Sequence, residues 1–220
     1  MTHNKTIELN GAYVHVVQTN GQVTVYDFYG KVCLDEKETH KSIVYHGKNN
    51  FSFYDKEKRE WVLCNLATKK EKRSDGKFTG NFDNDSLIVF KHQQVYYFLN
   101  DSLELAFNSS YDFATPFKSA TAIVQTAKGF SILDKNGKYL ALPNKGRLHY
   151  VTKNLIEEVK LPNFTIINSR GVSQLPAGYA SIHVLDNGVI QAINGEEIHY
   201  IDLNGQLLFT ISKKEVIVEK

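Results

Sequence analysis

Two pairs of adjacent glutamates, Glu157-Glu158 and Glu196-Glu197, are the residues whose chemistry first invites a catalytic reading. A glycosidase needs two carboxyls facing one bond, one to donate a proton and one to attack or to activate water. Neighbours in an extended strand point to opposite faces, so each pair offers one inward acid at best. Ser181, His183 and Asp186 supply the residue types of a nucleophilic triad, but they are close in sequence only, and no Gly-x-Ser-x-Gly elbow exposes a serine.

The histidines, His3, His15, His40, His46, His92, His149, His183 and His199, form no His-x-Glu, no His-Glu-x-x-His and no Cys/His pair at zinc spacing. Cys33 and Cys64 sit in apolar settings and read as buried, reduced thiols. Glycine-rich phosphate cradles are absent from the sequence. Trp61, the single tryptophan, could stack a ligand, yet its place in the apolar run "REWVLC" puts it in the core or between sheets. The reading therefore assigns no catalytic residue, no metal ligand and no cofactor, and leaves the binding residues open.

Composition narrows the partners. Lys and Arg number 26 against 24 Asp and Glu, interspersed along the chain, so nothing resembles the basic face that nucleic acid demands. No run approaches the ~18 apolar residues of a membrane helix. The opening "MTHNKTIELNGAYV" lacks a basic segment followed by an apolar one, so the cytoplasm is expected unless a signal peptide has been removed.

The elements that would position these residues are read from a repeat. Asp27, Asp55, Asn100, Asp134, Asn168 and Asp202 each end a short alternating apolar run, at intervals of 28, 45, 34, 34 and 34 residues. Four residues before them stand Val23, Phe51, Tyr96, Phe130, Phe164 and Ile198, and two before stand Val25, Phe53, Phe98, Ile132, Ile166 and Tyr200. That period of two is the signature of a strand. Three residues after the acid or amide come Gly30, Gly137, Gly171 and Gly205, the order that closes a bulged hairpin. The turn carboxylates are caps, since calcium needs six to eight oxygens and each turn offers a single acid.

Lys58 and Leu103 stand where glycine is expected, which predicts differently built turns there. The hairpin turns are placed at 27-30, 55-59, 100-103, 134-137, 168-171 and 202-205, and the long second interval is assigned to an inserted polar loop at 69-80. The fold class expected is all-β, a single repeat domain over 1-220 forming a six-bladed β-propeller of antiparallel meanders of about 34 residues, with a linear β-solenoid of hairpins as the alternative. Closure of a ring would bring Ile7 and Ile217 into the same or neighbouring strands.

One unit, Tyr111 to Pro143, resembles the bacterial WG-repeat family through Tyr111, Asp112, Phe117, Ala122, Val124, Asp134 and Gly137. The family's Trp-Gly pair is Phe130-Ser131 here, and in this register no unit keeps the tryptophan. The resemblance implies an interaction repeat without a catalytic motif. The function expected is accordingly a non-enzymatic scaffold that binds another protein. A glycan-binding propeller is the first alternative, and a glycosidase-type hydrolase with carboxylates gathered at the ring centre is the second.

Overall fold

A computed structural model describes residues 5–9, 13–17, 23–35, 40–144, 146–152, 154–174 and 178–215. Its first sheet is a four-stranded meander of β1 (Lys5–Leu9), β2 (Tyr13–Val17), β3 (Val23–Asp27) and β4 (Val32–Asp35). The second runs β5 (His40–Tyr45), β6 (Asn50–Asp55), β7 (Glu60–Asn65) and β8 (Glu71–Ser74). The third comprises β9 (Phe78–Thr79), β10 (Leu87–His92) and β11 (Val95–Asn100), with the short helix α1 (Phe82–Asp85) between β9 and β10. A fourth follows with β12 (Phe113–Ala114), β13 (Thr121–Thr126), β14 (Gly129–Asp134) and β15 (Tyr139–Asn144). The fifth holds β16 (Arg147–Tyr150), β17 (Leu155–Lys160) and β18 (Asn163–Asn168), and the sixth β19 (Ser181–Val184), β20 (Ile190–Asn194), β21 (Glu197–Ile201) and β22 (Leu207–Ser212).

Each strand pairs antiparallel with its neighbour in sequence and stays within its own sheet, in strict chain order. A β-solenoid would instead pair strands of successive repeats into continuous sheets. The chain is all-β, with the blade construction of a six-bladed β-propeller. The three-stranded sheets carry the remnant of a fourth strand: Leu105 bridges Leu99, while Ser173 and Tyr179 bridge Ile167 and Phe164. The chain divides into two compact units, Met1–Ser110 and Tyr111–Lys220, where the sequence reading took 1-220 as one domain. Ile217 lies outside the described residues, so its expected pairing with Ile7 is not described either.

The third strand of every sheet ends on an Asp or Asn turn. In Asp27 a carboxylate oxygen accepts the backbone N–H groups of Tyr29 and Lys31 at 2.9 Å, and Gly30 takes a left-handed φ of +77°. Asp134, Asn168 and Asp202 accept from the same offsets. Asn100 does too, accepting from Ser102 and Glu104, so Leu103 simply adopts φ +63° where the others have glycine. The expectation that the Leu103 turn is built differently is corrected: the side-chain cap holds the turn, and a buried leucine tolerates the left-handed angle.

The second sheet brings the larger correction. Asp55 caps the connection from β6 to β7, which are the second and third strands, not the third and fourth. The turn equivalent to the other five is Asn65, whose side-chain oxygen accepts from Ala67 and Thr68 while Lys69 takes φ +61°. Counted from Asn65, the spacings become 38, 35, 34, 34 and 34, and the surplus that suggested an insertion disappears. Segment 69-80 is not an inserted loop. It supplies β8, which pairs Trp61 to Cys64 with Ser74 to Glu71, and β9, whose Phe78 is buried against Phe82, Ile88 and Phe90. In the same register Trp61 holds in β7 the place that Phe130 holds in β14, so the second repeat does keep a tryptophan there.

Cores form between successive sheets inside each unit. Val25 of β3 packs with Ile43, Phe51, Phe53 and Val62 of the second sheet, and Leu63 of β7 with Phe78, Ile88 and Leu99 of the third. In the other unit Ile123 and Ile132 meet Leu148, Ile156 and Ile167, while Leu155 and Ile166 meet Tyr179, Ile190 and Ile201. Both faces of the central strands are covered: Ser131, Ile132 and Leu133 are consecutive and all fully buried. Each such aliphatic side chain contributes about 1.5–3 kcal/mol. Ser131 avoids the cost of a buried, unpaired hydroxyl by donating to the carbonyl of Ala141.

Candidate functional site

The structure separates the acids that the sequence set side by side. Glu157 on β17 stands opposite His149 on β16 and is half-buried. Burial pushes its carboxyl up, opposed by the nearby His149 and His183 imidazoles. Glu158 points to the other face, is nearly buried and receives the Lys160 ammonium at 2.9 Å. Glu196 and Glu197 are exposed, and Glu197 lies 3.2 Å from Nε2 of His199, whose Nδ1 faces the Tyr179 hydroxyl at 3.2 Å. Ser181 is half-buried while His183 and Asp186 are exposed, and no hydrogen bond joins these residues. The four glutamates thus have four separate surroundings.

Among the described residues no three His, Cys, Asp or Glu side chains assemble as a metal site. His3 lies outside the described residues, and nothing is described of the His15 and His40 side chains. Cys64 is buried, which pushes its thiol up to about 12, while Cys33 is only half-buried; both are free. Trp61 is half-buried against the core between the second and third sheets, 5.5 Å from the Tyr54 ring and with the Lys77 ammonium 5.1 Å from its own ring centre.

A candidate contact surface lies elsewhere, on residues that the sequence does not mark out as a group. Between the fourth and fifth sheets lies a cleft of about 550 Å³. Its floor is Ile123 and Leu148, both buried. Aromatic walls come from Phe113 on β12, Phe130 on β14 and Tyr150 on β16, with the two phenylalanine rings 6.2 Å apart. Lys118, Gln125, Arg147 and His149 supply the polar lining, and no carboxylate is among the lining residues.

No protein-family model matches the chain, and no curated protein matches it. Among solved structures, Hsv2 of Kluyveromyces lactis is similar over 99% of this chain and 79% of its own, at 12% identity and a TM-score of 0.45. BamB from Moraxella catarrhalis is similar over 94% and 75%, at 10% identity and a TM-score of 0.41. Virginiamycin B lyase from Staphylococcus aureus is similar over 98% and 84%, at 10% identity and a TM-score of 0.38.

Local hydrogen bonds hold the cleft in shape. Tyr150 donates its hydroxyl to the Thr121 carbonyl at 2.8 Å, which fixes the ring, and the Lys118 ammonium lies 5.2 Å from that ring's centre. Thr115 clamps the short β12 strand to β13, its hydroxyl accepting the Ile123 N–H at 3.0 Å and its own N–H donating to the Ile123 carbonyl at 2.9 Å. Arg147 and His149 occupy alternate positions of β16, which is the edge strand of its sheet. A second hollow of about 700 Å³, lined by Gly146, Arg147, His149, Val159, Lys160 and Leu161, shares those two residues. No aromatic signal in the sequence marks the cleft, since the repeat from Tyr111 to Pro143 is less aromatic than the stretch of equal length before it. Tyr111, Phe117, Ala122 and Val124 of that repeat are buried and structural, while Phe113 and Phe130 face the cleft.

Proposed function

We propose that this protein is a non-enzymatic β-repeat scaffold that binds another protein, with the cleft between the fourth and fifth sheets as its contact site. The observation that carries this reading is the cleft's lining: aromatic and aliphatic area to bury, with ammonium, guanidinium and carboxamide groups at hand to orient what is buried. Tyr and Arg are the residue types that concentrate binding energy in protein interfaces. The resemblance of the Tyr111–Pro143 repeat to an interaction-repeat family supports the same reading. The test is affinity capture from a lysate of the source organism, with wild-type protein and with Phe113→Ala/Arg147→Glu. A protein retained by the wild type and lost from the variant is the expected result. Capture that ignores the substitutions, or specific retention of a glycan in place of a protein, overturns the proposal.

A further inference from the structure

We infer that the occupant of this cleft is an acidic, extended peptide segment that places an aromatic or branched apolar side chain between Phe113, Phe130 and Tyr150. The inference rests on the reading of the cleft as a protein-binding site and adds the chemistry of the partner. Charge complementarity is its first support. Over the whole chain the charges nearly balance, at +2, yet the cleft is lined by Lys118, Arg147 and His149 without a carboxylate. Glu158 pairs with Lys160, and Glu157 stands opposite His149 on the neighbouring strand, so the cleft cations that pair with no carboxylate among the described residues are Lys118 and Arg147. Arg147 is exposed and makes no ion pair among the described residues, so its guanidinium is available for a bidentate grip on a carboxylate.

Shape is the second support. The cleft is the size of a small-molecule site, room for one or two side chains but not for a folded surface. Arg147 and His149 line both it and the second hollow and so form the ridge between them, with Lys160 and the 83% exposed Leu161 also lining the second. A linear segment crossing that ridge keeps acidic groups over Arg147 and Lys118 while lowering one apolar side chain onto Ile123 and Leu148. Neutral or basic segments would leave the cations unpaired beside the buried aromatic area.

The experiment pans a displayed library of random linear peptides on the full chain and counter-selects on Lys118→Glu/Arg147→Glu. Both side chains are exposed, and circular dichroism verifies that the variant folds; Lys118→Gln and Arg147→Gln serve as milder variants. Enriched peptides are expected to be net acidic with an aromatic or branched apolar residue. Their affinity should fall roughly tenfold or more on charge reversal and should weaken as salt is raised. Enrichment of basic or neutral peptides, undiminished binding to the charge-reversed variant, or no enrichment overturns the inference. A lysate protein whose capture is lost with Phe113→Ala but ignores Lys118→Glu/Arg147→Glu also overturns it while leaving the cleft a protein-binding site; absence of any captured protein overturns the scaffold reading itself.

Discussion

Gly30 and Gly171 share a left-handed φ of +77°, yet a side chain on them would meet different surroundings. Nothing lies within 4 Å of a β-carbon built on Gly30, whereas one on Gly171 would stand 2.6 Å from the Ala141 β-carbon. Alanine at either position carries the left-handed strain of roughly 1–2 kcal/mol. Gly171→Ala must in addition push β15 away, so its melting temperature should fall clearly further than that of Gly30→Ala, and equal losses in thermal unfolding would contradict the enclosure. His46 makes a second residue-scale case. Its Nδ1 donates to the Gly80 carbonyl at 2.9 Å, which leaves Nε2 to accept from the Ser52 hydroxyl at 2.7 Å. Burial lowers its pKa and so favours the neutral ring in which Nε2 accepts. The unfolded chain binds this proton more readily, so the stability that neutral His46 contributes is present above pH ~6.5 and is lost as pH falls through the depressed folded value. Denaturant titrations at pH 7.5 and 5.5 should show a larger loss in wild type than in His46→Gln; equal losses would mean that this histidine does not carry the acid sensitivity.

The segment from Lys69 to Gly80 shows at the element scale how a polar run becomes structural. Three of its charged residues, Glu71, Lys72 and Arg73, lie on an outer strand opposite Cys64, Leu63 and Val62 without needing an apolar pattern of their own. Only Phe78 signals burial, at 5% exposure in the core between the second and third sheets. Deleting residues 69 to 80 removes an outer strand from one sheet, the first strand from the next and that phenylalanine. Loss of a buried Phe side chain alone costs about 3–5 kcal/mol. The deletion should therefore abolish cooperative unfolding; a shortened protein that melts as the wild type does would restore the loop reading. The sequence left this open because Asp55 and Asn65 both satisfy the local chemistry of a capped turn, each accepting N–H groups two and three residues ahead. Local hydrogen bonding cannot rank them, and strand pairing does.

Repetition makes a prediction for the whole molecule. Amides of the inner strands are bonded on both sides and lie over buried residues, so native-state hydrogen exchange should be slowest in successive stretches that recur with the turn spacing, including 88–90, 122–124 and 155–156. Protection confined to one sheet would sink the repeat as a uniform structural unit. What the sequence by itself determined was the strand and the hairpin: alternation of apolar side chains and an Asp or Asn placed before a left-handed residue act within some ten contiguous positions, so all-β class and repeat number were legible without any tertiary contact. Tertiary structure alone decided which turn closes the second sheet and where the cleft lies. The second depends on Phe113, Lys118, Phe130, Arg147 and Tyr150 converging from two sheets, and that convergence is set by how buried faces such as Ile123 and Leu148 pack, which no local pattern encodes.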